Sequence, residues 1–277
     1  MQALKLCHCR LDLASTAAKL RDTVELAIEP PPSRPLKVED NVFQFDCGAA
    51  SHIGLQRTQN QDCYFSDAKL GLWLVADGMG GHADGARAST MARECIVGEI
   101  IDGRDLAHAI AIANREIGTQ GRLQDCTRSM GSTAVALHIS GADFELAWVG
   151  DSRCYLALDA ELKQLSSDHT FMQELIDAGI LSPEQAKTNR YRNVVTQALG
   201  VTASAELQID SVRGTLRPGM QFLLCSDGLT EHVSDIEIGQ ILSSQAVAQT
   251  IAEQLIAAAL HYGGSDNVTA IVLNLFQ

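Results

Sequence analysis

Membrane-spanning segments are absent from this sequence: no apolar run approaches the roughly 20 residues that a bilayer requires. Residues 1–30 also lack the basic-then-apolar pattern of a secretory leader, so export is not expected. Positive charge is scarce. Lysine and arginine number 21 against 34 aspartates and glutamates, a net charge of −13. Phosphate backbones and anionic bilayers bind clustered cations, so neither nucleic acid nor membrane is an expected partner. Cysteine pairing signals are missing too. The eight cysteines (Cys7, Cys9, Cys47, Cys63, Cys95, Cys126, Cys154 and Cys225) show no CxxC spacing. None is followed by arginine six positions on, so the phosphate-binding loop of a cysteine nucleophile is not there. Cys7-His8-Cys9 has no second ligand cluster with which to complete a metal site. Scattered mostly through apolar runs, these thiols read as reduced core residues, and a cytoplasmic location is expected.

What is present suits a globular chain with a real core: 277 residues, 46% hydrophobic and 20% charged. A weakly alternating stretch (Leu4, Leu6, Leu11, Leu13) and a short helix over Ser15–Ile28 are expected first. Pro30-Pro31-Pro32-Ser33-Arg34-Pro35 then reads as a stiff, extended linker. The expected division is an N-terminal extension over residues 1–40 and one main domain over 41–277. Strand-length apolar runs follow at Val42–Asp46, Cys63–Ser66, Leu72–Ala76, Thr133–Ile139, Phe144–Val149, Cys154–Leu158, Leu207–Val212, Phe222–Cys225 and Val268–Leu275. Helical stretches interrupt them at Gly85–Ile101, Leu106–Ile117, Phe171–Ala178 and Ala246–Leu260. Thr170 to Gln173 and Ser182 to Gln185 have capping-box spacing, with Pro183 at the favoured first helical position. Hairpin-like strand neighbours with helices between them predict an α+β fold of antiparallel sheets, helices packed outside, and not a parallel βαβ array.

Three aspartates flank strands in similar settings. Leu72–Ala76 runs into Asp77-Gly78, Phe222–Ser226 runs into Asp227-Gly228, and Asp266-Asn267 opens the strand Val268–Leu275. Where the last strand runs antiparallel to the first two, all three carboxylates reach one rim. A turn at Lys69 and Leu70 adds a fourth by pairing Asp62 with Asp77. Carboxylates gathered with little water repel one another and hold their protons, a conflict that a divalent cation removes. All-oxygen ligation with several waters suits Mg²⁺ or Mn²⁺ better than Zn²⁺. Each Asp-Gly alone is an ordinary turn signal. Only their joint pattern points to a site.

Six segments in order carry a resemblance. They are Arg57-Thr58-Gln59-Asn60-Gln61-Asp62, Ala76-Asp77-Gly78-Met79-Gly80-Gly81-His82, Met130-Gly131-Ser132-Thr133, Gly150-Asp151-Ser152-Arg153, Ser226-Asp227-Gly228-Leu229 and Gly264-Ser265-Asp266-Asn267-Val268-Thr269. Together they resemble the metal-dependent protein phosphatase family (PPM, type 2C) in its bacterial form, over about residues 46–275. The resemblance implies a central antiparallel β-sandwich flanked by helices on both sides. It implies a protein serine/threonine phosphatase that uses two Mn²⁺ or Mg²⁺ ions, with a third, weaker site. Asp77 resembles the family's bridging ligand, Gly78 would add its carbonyl, and Asp227 and Asp266 would complete the second ion's shell. Asp62 resembles a supporting carboxylate near the metal waters, and Arg57 the phosphate-binding arginine, whose fork suits two phosphate oxygens. Asp151 matches the aspartate that helps hold the third ion; on its own Gly-Asp-Ser-Arg reads as a hairpin turn, and Arg57 as a surface arginine. The implied mechanism is direct attack on phosphorus by a water between two cations about 4 Å apart, with no phosphoenzyme.

Two positions depart from the family pattern. Gln61 stands where many members have glutamate, and Met79 where eukaryotic members carry a histidine proposed as general acid. Methionine cannot donate a proton, which leaves a metal-bound water as its source; His82 reads as structural. The segment Phe171–Ala205 corresponds to the family's flap, and its Arg190-Tyr191-Arg192-Asn193 stretch is basic in an acidic chain. Expected partners are phosphorylated proteins and a cognate serine/threonine kinase pathway, with the phosphatase acting as a monomer. A nucleotide phosphodiesterase is disfavoured by the acidic surface and the absence of histidine ligands. A catalytically dead binding module is disfavoured because Asp77, Asp227 and Asp266 are all present.

Overall fold

An antiparallel strand that reads as one unbroken apolar run, such as Leu72-Trp73-Leu74-Val75-Ala76, needs cover on both faces. The computed structural model, which describes residues 36–38, 41–80, 83–123, 130–187 and 189–276, provides it. The strands are β1 (Leu36–Val38), β2 (Asn41–His52), β3 (Asp62–Asp67), β4 (Leu72–Met79), β5 (Gly131–Ser132), β6 (Ala134–Ser140), β7 (Asp143–Val149), β8 (Arg153–Leu158), β9 (Glu161–Gln164), β10 (Asp210–Thr215), β11 (Gln221–Cys225) and β12 (Val268–Phe276). The helices are α1 (Ala83–Ile101), α2 (Leu106–Leu123), α3 (Phe171–Asp177), α4 (Pro183–Lys187), α5 (Asp227–Thr230), α6 (Asp235–Leu242) and α7 (Ala248–His261). The expected Leu4–Leu13 stretch, the Ser15–Ile28 helix, the proline linker, Cys7-His8-Cys9, Cys126 and His82 lie outside the described residues.

The strands form two sheets, ordered β1-β2-β12-β11-β8-β9 and β10-β7-β6-β4-β3, with β5 paired to β4. Every ladder among the described residues is antiparallel. The period of two sorts β4 between layers. Leu72, Leu74 and Ala76 pack with α1 and α2 residues such as Ala92, Ile96 and Ile110. Trp73 and Val75 point the other way, into a core shared with Phe222, Leu224, Ile271 and Leu273 of the opposite sheet. On β11 the alternation repeats, with Leu223 and Cys225 buried beneath α6 and α7. The order is therefore helices, sheet, sheet, helices, as the resemblance implies. The five described cysteines are all free thiols. No helix among the described residues is long and apolar enough to cross a membrane.

Three expectations shift. The strand expected at Val42–Asp46 continues to His52, through small residues that pair with β12. The strand expected at Leu207–Val212 is instead β10, Asp210–Thr215. Leu207 and Ile209 are apolar because they pack on the core between helices and sheet before the chain joins the ladder beside β7. The helix α6 was not anticipated. Its eight residues are few for a periodic signal, though Ser234 and Glu237 have capping-box spacing and Ser234 Oγ accepts from the Glu237 amide at 3.3 Å.

Candidate active site

Strand pairing delivers the acidic residues. β3 and β4 are in the register that sets Asp62 opposite Asp77, as the turn at Lys69 and Leu70 predicts. β11 ends at Cys225, two residues before Asp227, and β12 begins at Val268, two residues after Asp266. Because β11 and β12 are antiparallel, the end of one lies beside the start of the other. Asp62 ties the two sheets together at this end: its Oδ2 accepts from Ser226 Oγ at 2.8 Å and Thr269 Oγ1 at 2.7 Å.

The backbone of Asp77 is clamped by one of the six segments, which a second one braces. Its amide donates to Thr133 Oγ1 at 3.0 Å, and its carbonyl accepts from Ser132 Oγ at 3.0 Å and the Thr133 amide at 2.8 Å. Thr133 Oγ1 in turn meets Ser152 Oγ at 2.8 Å, which joins the Gly131–Thr133 segment to the Gly150–Arg153 segment. Gly78 admits no side chain, because a Cβ there would collide with the Gly85 carbonyl at the start of α1. Buried Asn267 secures the loop that carries Arg57: it accepts from the Gln61 amide at 2.8 Å and donates to the Ile53 and Gln59 carbonyls at 2.8 and 3.0 Å. Arg57 itself is half exposed at the mouth, with Nη2 donating to Oδ2 of Asp266.

Burial and mutual repulsion set the electrostatics. Burial first, then Asp62, Asp227, Asp151 and Asp266, push the Asp77 carboxyl well above the ordinary range. Burial first, then Asp151, Glu231, Asp266 and Asp62, do the same to Asp227. Burial lifts Asp62 to about 6 despite the Thr269 and Ser226 hydrogen bonds, and lifts Asp151, beside Asp168, to about 7. Oδ1 of Asp62 and Oδ1 of Asp227 are buried and accept from no donor. A buried carboxylate oxygen without a partner costs free energy, which a cation would recover. Oxygen-only donors with unsatisfied lone pairs fit Mg²⁺ or Mn²⁺. Among the described residues no three His, Cys, Asp or Glu side chains close into a ready-made cage, so waters would complete such an ion's shell.

Glu231 and Asp168 are acidic neighbours that sequence reasoning missed. Glu231 lies beside Asp227 and Asp151, and Asn193 of the flap donates to its Oε1. Its position one helical turn after Asp227 was the available signal. Asp168 takes a forked contact from Arg153, with Nε at 2.9 Å from Oδ1 and Nη2 at 2.6 Å from Oδ2.

An acidic, oxygen-only centre thus lies at one end of a helix-flanked antiparallel sandwich. The chain belongs to the protein phosphatase 2C family, whose model matches residues 50–261. It is 36% identical over 235 residues to the serine/threonine protein phosphatase PstP of Mycobacterium tuberculosis, a match covering 82% of this chain and 44% of that protein. It is 35% identical over 235 residues to protein phosphatase PhpP of Streptococcus pneumoniae, covering 80% of this chain and 94% of that protein. The chain thus spans less than half the length of the first relative and nearly all of the second. A crystal structure of the PstP catalytic domain in complex with two manganese ions superposes with a TM-score of 0.76 at 34% identity, covering 85% of this chain and 100% of that one.

Proposed function

We propose that this chain is a protein serine/threonine phosphatase that hydrolyses phosphoserine and phosphothreonine at the carboxylate centre. The observation that carries the proposal is the pair of buried, donorless oxygens on Asp62 and Asp227 within a set of mutually repelling carboxylates. Asp77, the Gly78 carbonyl, Asp227 and Asp266 would hold two Mn²⁺ or Mg²⁺ ions, and Asp151 would help hold a third. Bound there, the ions supply an acidified water as nucleophile and charge stabilisation for the phosphoryl oxygens. Arg57 orients the phosphate with its guanidinium fork, which Asp266 holds at the mouth. Asp62, fixed by Ser226 and Thr269, accepts hydrogen bonds from water in the site. Ser132, Thr133 and Ser152 keep the Asp77 backbone in place beneath it.

The substrates are phosphorylated proteins of a serine/threonine kinase pathway, and the enzyme acts as a cytoplasmic signalling monomer. Residues 41–277 make up the phosphatase domain, with 1–40 as an extension, and β1 pairs with β2 at their junction. Activity on phosphothreonine peptides should vanish with a chelator and return with Mn²⁺ or Mg²⁺. Full activity of the chelated, metal-free protein would overturn the proposal.

A further inference from the structure

Asp151 sits in a turn that its own strands do not hold. The β6–β7 ladder stops at Ala134 and Val149, so the next amide, Gly150, has no ladder partner. Gly150 has a φ of +102°, and a Cβ there would stand 2.6 Å from Thr133 Cγ2, so no other residue fits this buried turn. Its amide instead donates to Nδ1 of His169 at 3.2 Å, while the His169 amide donates back to the Gly150 carbonyl at 2.9 Å. His169 is buried, and its Nε2 lies 3.3 Å from Oδ2 of Asp210 on β10. An Nδ1 that accepts carries no proton, so the ring is the tautomer with Nε2–H donating to Asp210.

The same residue ties down the flap. Its carbonyl accepts from the Thr196 amide at 2.8 Å, the next residue Thr170 caps α3 by accepting from the Gln173 amide at 3.2 Å, and the Phe171 amide donates to Val194 at 2.9 Å. Both stems of the segment between Phe171 and Val195 therefore meet at His169. Its neighbour Asp168 grips Arg153, two residues after Asp151.

We propose that His169 is a positioning residue: through Nδ1 it fixes the Gly150–Asp151 turn, and through its backbone it sets that turn against the base of the flap. The kinetic consequence rests on the proposed phosphatase function; the structural contact does not.

Side-chain chemistry separates the two ring nitrogens. Asparagine carries an acceptor two bonds from Cβ, as Nδ1 does, whereas glutamine carries its amide one bond further out, where Nε2 lies. His169→Asn should keep the Gly150 contact and lose the one to Asp210. His169→Gln should do the reverse. The test measures amide hydrogen exchange at Gly150 by NMR, together with kcat and KM on a phosphothreonine peptide, for both variants and the parent with Mn²⁺. Exchange at Gly150 should stay slow in the parent and in His169→Asn and quicken by roughly tenfold in His169→Gln, the equivalent of one net hydrogen bond. In His169→Gln kcat should fall on the order of 10-fold to 100-fold, the scale of a small displacement of a catalytic group, with KM little changed. His169→Asn should restore most of kcat. A rapidly exchanging Gly150 amide in the parent would overturn the contact. Equal damage in both variants, or an undamaged His169→Gln, would overturn the role of Nδ1. An inactive parent would instead overturn the phosphatase function, and Gly150 exchange would still decide the contact.

Discussion

Asp227 occupies a position where one atom decides between two accounts. It opens α5 after Ser226, the setting of an ordinary helix-start residue, yet its Oδ1 is buried without a donor among other carboxylates. Asp227→Asn removes a repelling charge while preserving shape. The metal-free variant should melt no lower than the metal-free parent, whereas stabilisation by Mn²⁺ and phosphatase turnover should both be lost. Calorimetry with and without Mn²⁺ checks this, and a variant that keeps both properties would leave Asp227 as a turn residue only. Asp151 invites a different comparison, since Met79 provides no acid for the leaving alkoxide. If Asp151 supports proton delivery, Asp151→Ala should cut kcat strongly on phosphoserine peptides and much less on an aryl phosphate, whose phenolate leaves unprotonated. A turn role alone would cost about 1 kcal/mol of stability and affect both substrates alike. Equal loss on the two substrates, or none, would remove Asp151 from proton supply.

At the scale of elements, close packing explains what hydrophobic patterning could not reveal. β2 continues beyond Asp46 through Gly48, Ala49 and Ala50, which carry little strand signal. Their smallness is the point: a Cβ at residue 48 would collide with the backbone of Ala248 and Gln249 at the start of α7. Gly48→Ala should therefore destabilise the protein by about 1–3 kcal/mol, as overpacking does, measured as a lower urea midpoint at unchanged slope. An unchanged midpoint would mean that α7 yields without cost. The elements legible in the sequence were those whose own residues carry an apolar run or a helical period, such as β4 and α7. The hairpin register was legible as well, because one turn at Lys69 and Leu70 determines it and so sets Asp62 opposite Asp77. Glu231 had one local signal, its place four residues after Asp227, but Asp168 and His169 were not legible as neighbours of the site, since their place depends on the loop after β9 folding back over Asp151. No local pattern encodes that approach. α6 fell between the two cases, with a capping signal at Ser234 but a helix only eight residues long.

For the whole molecule, the carboxylate centre is a stability cost that depends on pH. Asp62 is raised to about 6 and Asp151 to about 7, and Asp77 and Asp227 are raised well above the ordinary range, while unfolded aspartates titrate near about 3.9. Between these limits the native metal-free protein binds more protons than the unfolded chain. Unfolding then releases protons, and the slope of unfolding free energy with pH is negative. The carboxylates thus impose no penalty below the unfolded values, and their penalty grows as pH rises through 6 and 7. Metal-free protein should melt at a higher temperature at about pH 5 than at about pH 8, because the cluster is protonated at the lower pH and repels itself at the higher. Cations compete with those protons, so the rise in melting temperature on adding Mn²⁺ should be small at about pH 5 and large at about pH 8. Two sets of calorimetric scans, one in chelator and one in Mn²⁺, measure both trends on the intact chain. A metal-free protein that melts higher at pH 8 would mean that the carboxylates do not face one another as a single repelling group. An Mn²⁺ effect independent of pH would mean that the ion binds elsewhere than at Asp77, Asp151 and Asp227.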